Sequence, residues 1–106
     1  MAVIAVLTNL PDSTSAFNLA RHVIDMRLAA CANVLTPVKS VYRWEGRIEE
    51  AVEHPLLMKT TRDRYDALEA AIRERHPYSA PEIIAWPIER GLPAYLDWVE
   101  AESRPE

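Results

Sequence analysis

The sequence has little glycine, little cysteine and no low-complexity run. Its 106 residues include two glycines and one cysteine. So few glycines argue against a disordered chain, and the ordinary hydrophobic content of 49% is typical of a globular protein. A single cysteine cannot form an internal disulfide, which is typical of a reducing cytoplasm. We therefore predict one folded domain, residues 1–106, in the cytoplasm.

Long apolar runs and positive charge are also missing. No stretch approaches the roughly 18 apolar residues that a membrane-spanning helix needs. The apolar start, Met1–Leu7, lacks the basic residues of a secretory signal and is predicted to be a core strand. A net charge of −4 disfavours binding to nucleic-acid phosphates. We predict neither a membrane nor a nucleic acid as partner.

Residues 31–61 predict one long β-hairpin. Residues 38–44 alternate between two faces, and Tyr42 and Trp44 share one of them. Glu45-Gly46 interrupts the alternation and suits a tight turn. Arms of about a dozen residues would reach roughly 40 Å, which is more than this short chain can cover by itself. The protruding part is therefore predicted to pair with further copies of the chain.

Pro55 interrupts the return arm of this hairpin. Proline removes one hydrogen-bond donor from a strand ladder and is rare inside a sheet. We predict a bulge or break at His54-Pro55, which would split the return arm into residues 47–53 and 56–61.

The other elements complete an alternation of strands and helices. A strand over residues 2–9 precedes a helix that starts at Asp12 or Ser13 and runs to about Leu28. The apolar stripe of that helix is predicted to comprise Phe17, Ala20, Val23, Ile24 and Leu28. After the hairpin come a helix ending near Arg75, a strand over 82–88 and a short final helix. The predicted fold is α+β, a ferredoxin-like β-α-β-β-α-β arrangement with an extra C-terminal helix and an antiparallel sheet.

Several motifs give the sequence a family resemblance. Over roughly residues 3–99 it resembles the CutA family, which is named for divalent-cation tolerance. The resemblance rests on these motifs, in this order and spacing: Ala30-Cys31-Ala32-Asn33, Tyr42-Arg43-Trp44-Glu45-Gly46-Arg47-Ile48-Glu49, Lys59-Thr60-Thr61, His76-Pro77-Tyr78, Pro81-Glu82-Ile83 and Tyr95-Leu96-Asp97-Trp98.

The resemblance implies a cytoplasmic homotrimer whose hairpins extend each other's sheets, with an architecture like that of the PII signalling proteins. It implies binding of copper or another divalent cation in response to metal ions, with no organic cofactor and no enzymatic reaction. The alternative is a PII-like sensor that binds a small anionic ligand in the cleft between subunits and engages a protein partner.

His76, Glu82 and Cys31 are the predicted metal ligands, because imidazole, carboxylate and thiolate all bind divalent metals. His76 has an alternative role in local hydrogen bonds at the end of a helix, and Cys31 one in simple packing. Some members of the family bind copper through a cysteine at the end of the first strand and a His-His pair. This sequence has Thr8 and Arg75 at two of those three positions.

Lys59, Tyr78 and Trp44 are the residues predicted to line the cleft between subunits. A lysine in an apolar strand either faces an anionic ligand or pairs with a carboxylate such as Glu82. The tryptophans and tyrosines are predicted mainly to pack in the core or between subunits.

Overall fold

Residues 2–106 fold into a five-stranded antiparallel sheet with three helices. A computed structural model describes residues 2–106, and Met1 of the predicted domain lies outside the described residues. A 3-10 turn, Arg62–Arg64, precedes α2. The sheet and helices together form the predicted ferredoxin-like α+β fold with its extra C-terminal helix. In chain order the elements are β1 Val3–Leu10, α1 Ser13–Asp25, β2 Cys31–Val34, β3 Val38–Trp44, β4 Arg47–Thr61, α2 Tyr65–Arg75, β5 Ile83–Pro87 and α3 Pro93–Glu102.

The strand β4 is the longest element and belongs to both parts of the sheet. Its second half, residues 54–61, lies between β1 and β2 in the order β2-β4-β1-β5. Its first half, residues 47–53, pairs only with β3. The β3-β4 hairpin therefore extends beyond the body of the domain as an arm, and the chain is 44 Å in its longest dimension.

The predicted break at His54-Pro55 is wrong, because β4 is continuous and the break lies in the opposite strand. Residues 35–37, which include Pro37, separate β2 from β3 and face only two residues of β4. The Leu35 N–H donates to the Pro55 carbonyl at 3.0 Å. The nitrogen and oxygen of one strand residue point to the same side. The Pro55 nitrogen, which has no hydrogen to donate, therefore faces this gap. The strand ladder is already interrupted there, so Pro55 costs no ladder hydrogen bond.

The core lies between the sheet and the helices α1 and α2. Alternate residues of β1 and β4 face these helices, and Val6, Leu56 and Met58 are fully buried. Helix α1 begins at an N-cap, since Asp12 Oδ1 accepts from the Ser15 N–H at 2.7 Å. It ends at Asp25 rather than near Leu28, because the chain turns at Arg27 with φ of 55°.

The predicted apolar stripe of α1 is only partly correct. Ala20, Val23 and Leu28 are buried, but Phe17 and Ile24 are 57% and 40% exposed. The buried face of the helix is centred on Ala16, Leu19 and Val23. Each residue advances by about 100° around the helix axis, so Phe17 and Ile24 lie beside the buried face rather than on it. Both side chains lie beside a groove between α1 and the edge strand β2.

The sheet face opposite α1 and α2 is largely uncovered in the single chain. Helix α3 covers one end of it, where Val99 packs with Val3 and Ala30. Across the rest of this face Ile84 and Trp86 are 48% and 41% exposed. Exposed apolar surface of this kind is typical of a contact with another molecule.

The arm turns at Glu45-Gly46, and both residues have positive φ, 49° and 79°. This is the geometry of a type I′ turn, which favours Asn-Gly because a longer side chain is strained there. We expect Glu45→Asn to raise the free energy of unfolding by about 0.5–1 kcal/mol, since the strain is relieved without a change of contacts. Urea denaturation measures the difference. Glu49→Asn, in the adjoining strand, is the control and should not stabilise.

Candidate functional site

A cleft of about 580 Å³ lies between the base of the arm and the loop after α2. We call it the hairpin cleft. One wall comes from β3 and β4, where alternate residues of β3 point to the same side. The other wall comes from the loop that joins α2 to β5, and the end of β1 contributes as well. Its lining residues are Asn9, Ser40, Val41, Tyr42, Trp44, Glu53, Tyr78, Ser79, Ala80 and Glu82.

His76 lies under this cleft and holds the loop by two hydrogen bonds. Its Nε2 lies 2.8 Å from the Asn9 carbonyl, which only accepts, so Nε2 carries the proton. Its Nδ1 accepts from the Tyr78 N–H at 3.2 Å. The residue is 8% exposed. Burial lowers the pKa of His76, which keeps the ring neutral at pH 7.

Two carboxylates face the cleft, each with one hydrogen-bond donor. The Asn9 amide donates to Glu82 Oε1 at 3.1 Å, and the Tyr78 hydroxyl donates to Glu53 Oε2 at 3.4 Å. Burial raises the pKa of Tyr78, and the charge of Glu53 raises it further, so the phenol stays neutral. Among the lining residues that the structure describes, none carries positive charge. The hairpin cleft is therefore a negatively charged site.

The predicted metal ligands do not all meet within one chain. Glu82 and His76 both contact Asn9. Cys31 pairs with Lys59, which pairs with Ala5. Ala5 and Asn9 are four steps apart along β1, which is about 13 Å. Metal donors lie about 2.0–2.6 Å from the ion, so donors that share one ion lie within about 5 Å of each other. Over residues 2–106 no three His, Cys, Asp or Glu side chains form a group that could hold a metal.

The predicted cleft residues are likewise divided. Tyr78 and Trp44 both line the hairpin cleft. Lys59 lies beside β2 instead, where its ammonium group donates to Asn33 Oδ1. The same oxygen also accepts from the Cys31 thiol at 3.8 Å. Among residues 2–106 Lys59 and Glu82 form no ion pair; Lys59 bonds to Asn33 and Glu82 to Asn9.

Thr8 and Arg75, the residues that the resemblance sets against copper ligands of some family members, do not line the hairpin cleft. Thr8 is fully buried in the core, and within residues 2–106 its Oγ1 has no hydrogen-bond partner. Arg75 ends α2 and lines the groove beside α1 rather than the hairpin cleft.

Sequence reasoning missed Asn9. Ser40, Tyr42 and Trp44 share one face of β3, as the alternation predicts, and all three line the cleft. Nothing in the sequence placed Asn9 beside Glu82, because that contact depends on pairing between strands 73 residues apart.

None of the helices within residues 2–106 is both long and apolar enough to cross a membrane. The fold and the cleft place the chain among the ferredoxin-like α+β proteins that carry an extended β-hairpin. Residues 4–102 match the family described as CutA1 divalent ion tolerance protein, and the chain belongs to that family.

Named relatives agree with this assignment. The divalent-cation tolerance protein CutA of Yersinia pestis (strain Pestoides F) is 42% identical over 98 residues, which are 92% of this chain and 82% of that protein. A Xenopus laevis protein, "Protein CutA homolog", is 43% identical over 89 residues, or 84% of this chain. The match spans only 59% of the length of that relative.

A solved structure agrees as well. The structure of the "periplasmic divalent cation tolerance protein CutA" from Archaeoglobus fulgidus superposes with a TM-score of 0.93 at 33% identity. The alignment covers 96% of this chain and 99% of that one.

Proposed function

We propose that this chain forms a cytoplasmic homotrimer that binds divalent metal ions, copper among them, and contributes to metal tolerance without catalysing a reaction. The observation that carries the proposal is the match to the divalent ion tolerance family across residues 4–102. The one free cysteine, Cys31, is consistent with a reducing compartment.

Exposed apolar side chains support association of several copies. On one face of the arm Val41, Ile48 and Val52 are 64%, 66% and 57% exposed. A two-stranded ribbon is marginal in water by itself, so a partner that covers this apolar face stabilises the fold. A second copy of the same chain is always present to do so.

Metal binding in this proposal depends on residues from more than one copy. Glu82 is exposed and has a free carboxylate oxygen, but His76 can bind a metal only if it gives up one of its two hydrogen bonds. Cys31 can join these residues only from a neighbouring chain, because it lies too far away within its own. We therefore expect weak binding that requires the assembled trimer.

The alternative of a PII-like sensor for a small anion has less support. Its predicted lysine, Lys59, lies away from the cleft that contains Tyr78 and Trp44. The charged residues of that cleft are glutamates, which repel anions.

Titration calorimetry with Cu²⁺ tests the metal proposal. We expect the wild-type protein to bind Cu²⁺ and Glu82→Gln to bind at least about tenfold more weakly, because one charged ligand is lost. Glu74→Gln removes an equal charge from an exposed part of α2 and should leave the affinity unchanged. Equal affinity in the wild type and both variants would contradict a role for Glu82.

A further inference from the structure

The hairpin cleft combines aromatic rings with carboxylates. Tyr42 and Trp44 belong to its β3 wall, and Tyr78 belongs to the loop wall. The ring of Tyr78 packs against His76, with centroids 4.8 Å apart and an interplanar angle of 47°. His76 is in turn bonded to β1. The loop that carries Tyr78 is therefore fixed to the sheet, and the wall it forms is preformed.

Aromatic faces and carboxylates attract the same kind of ligand. The face of a tyrosine or tryptophan ring carries negative electrostatic potential and attracts a cation within about 6 Å. Glu53 and Glu82 add two formal negative charges to the same cleft. Within residues 2–106 each carboxylate accepts one hydrogen bond, so each retains acceptor capacity for a ligand donor.

We propose that the hairpin cleft binds a small organic ammonium cation with N–H donors, of the size of a diaminoalkane. The rings of Tyr42, Trp44 and Tyr78 contact its alkyl chain and its charge, and Glu53 and Glu82 accept its N–H groups. A doubly charged ligand matches the two carboxylates. This site goes beyond the metal binding proposed above and does not depend on it.

The size and donors of the cleft favour an organic cation over a bare metal ion. A volume of about 580 Å³ is within the range of small-molecule pockets and far exceeds one ion. Hard metal ions need several oxygen ligands that converge at about 2.0–2.6 Å, and the residues described here form no such group. An anion is excluded by the two glutamates.

Binding of 1,4-diaminobutane, measured by calorimetry and by tryptophan fluorescence, tests the proposal. We expect saturable binding by the wild-type protein. Trp44→Leu should weaken it roughly 2- to 30-fold, which corresponds to the usual range of one cation–π contact. Glu82→Gln should weaken it by a similar factor, whereas Glu74→Gln, on the surface of α2, should bind as the wild type does.

Two further probes define the ligand class. Tetramethylammonium has charge but no N–H donor and should bind more weakly than 1,4-diaminobutane. The neutral 1,4-butanediol should not bind. The proposal is overturned if 1,4-diaminobutane does not bind, if the diol binds equally well, or if Glu82→Gln and Glu74→Gln bind alike.

Two results distinguish diamine binding from metal binding and from contact between copies. Trp44→Leu should leave the Cu²⁺ affinity unchanged, because an indole ring is not a metal ligand. Failure of one proposal therefore does not imply failure of the other. If Trp44→Leu and Glu82→Gln change the particle mass and leave diamine affinity unaltered, a side chain of another copy occupies the cleft and the proposal is wrong.

Discussion

Replacing Ile48 by glutamate is expected to convert the proposed homotrimer into single chains. Ile48 lies near the tip of the arm, opposite Arg43, and is 66% exposed in the isolated chain. Burial of one such side chain at an interface contributes about 1.5–3 kcal/mol. A buried, unpaired carboxylate adds a further cost of several kcal/mol. Three copies would each carry the change, so the loss repeats at every equivalent contact.

Light scattering after size-exclusion chromatography at micromolar concentration measures this effect. The variant should have a mass near 12.1 kDa, that of one chain, whereas the wild type should have three times that mass. The fold itself should survive, because Ile48 is remote from the core between β1, β4 and the helices. Ile48→Val is the matched control and should remain assembled, since it keeps most of the apolar surface. A fully assembled Ile48→Glu protein would show that the arm is not at the interface.

Replacing His76 by alanine should give the largest loss of stability among the cleft variants. The change leaves the Asn9 carbonyl and the Tyr78 N–H without this partner in a half-buried setting. A fully buried unsatisfied group costs about 1–3 kcal/mol, so these two half-buried groups should lower the free energy of unfolding by about 2 kcal/mol or more. Urea denaturation at pH 7.5 measures the fall. His22→Ala, on α1, is the control and should lie within about 1 kcal/mol of the wild type.

The same contacts predict how stability depends on pH. Burial lowers the folded-state pKa of His76 below its ordinary value of about 6.5, although the bond to Asn9 and the charge of Glu53 oppose the shift. Between the two pKa values the unfolded chain binds more protons than the folded chain, so stability rises with pH there. The contribution of His76 is complete above about pH 6.5 and is lost as the pH falls towards the folded-state pKa.

His76→Gln isolates this effect from other acid-sensitive groups. Its amide can donate and accept as the neutral ring does, but it does not titrate. From pH 7.5 to pH 5 the wild type should lose more stability than His76→Gln. Parallel curves for the two proteins would show that His76 does not control the acid response.

The element order was predictable because each element carries a local pattern. The alternation over residues 38–44 and the Glu45-Gly46 turn predicted the arm, and the structure has its turn at those two residues. The break predicted at Pro55 was wrong because a strand can pair along either of its two sides. A proline disrupts the sheet only where a regular strand faces its nitrogen, and the Pro55 nitrogen faces the gap at residues 35–37, about 20 residues away in the sequence.

The candidate site was less predictable because it depends on contacts between distant segments. Glu82 and Tyr78 were predicted as site residues from their motifs, but their partners Asn9 and Glu53 lie 73 and 25 residues away. Lys59 and Trp44 were predicted to line one cleft between subunits, whereas strand register places them beside opposite ends of β4. Phe17 was assigned to the core from its spacing, but the helix is rotated so that smaller residues face the sheet.

The continuous strand β4 also limits how the length of this chain can vary during evolution. Side chains alternate along a strand, so one residue inserted in β4 would exchange the two faces of the arm relative to the body. The gap at residues 35–37 already accommodates three residues against two. Single insertions and deletions should therefore be tolerated in that gap, whereas the arm itself should lengthen only at its tip and by matched residues on both strands.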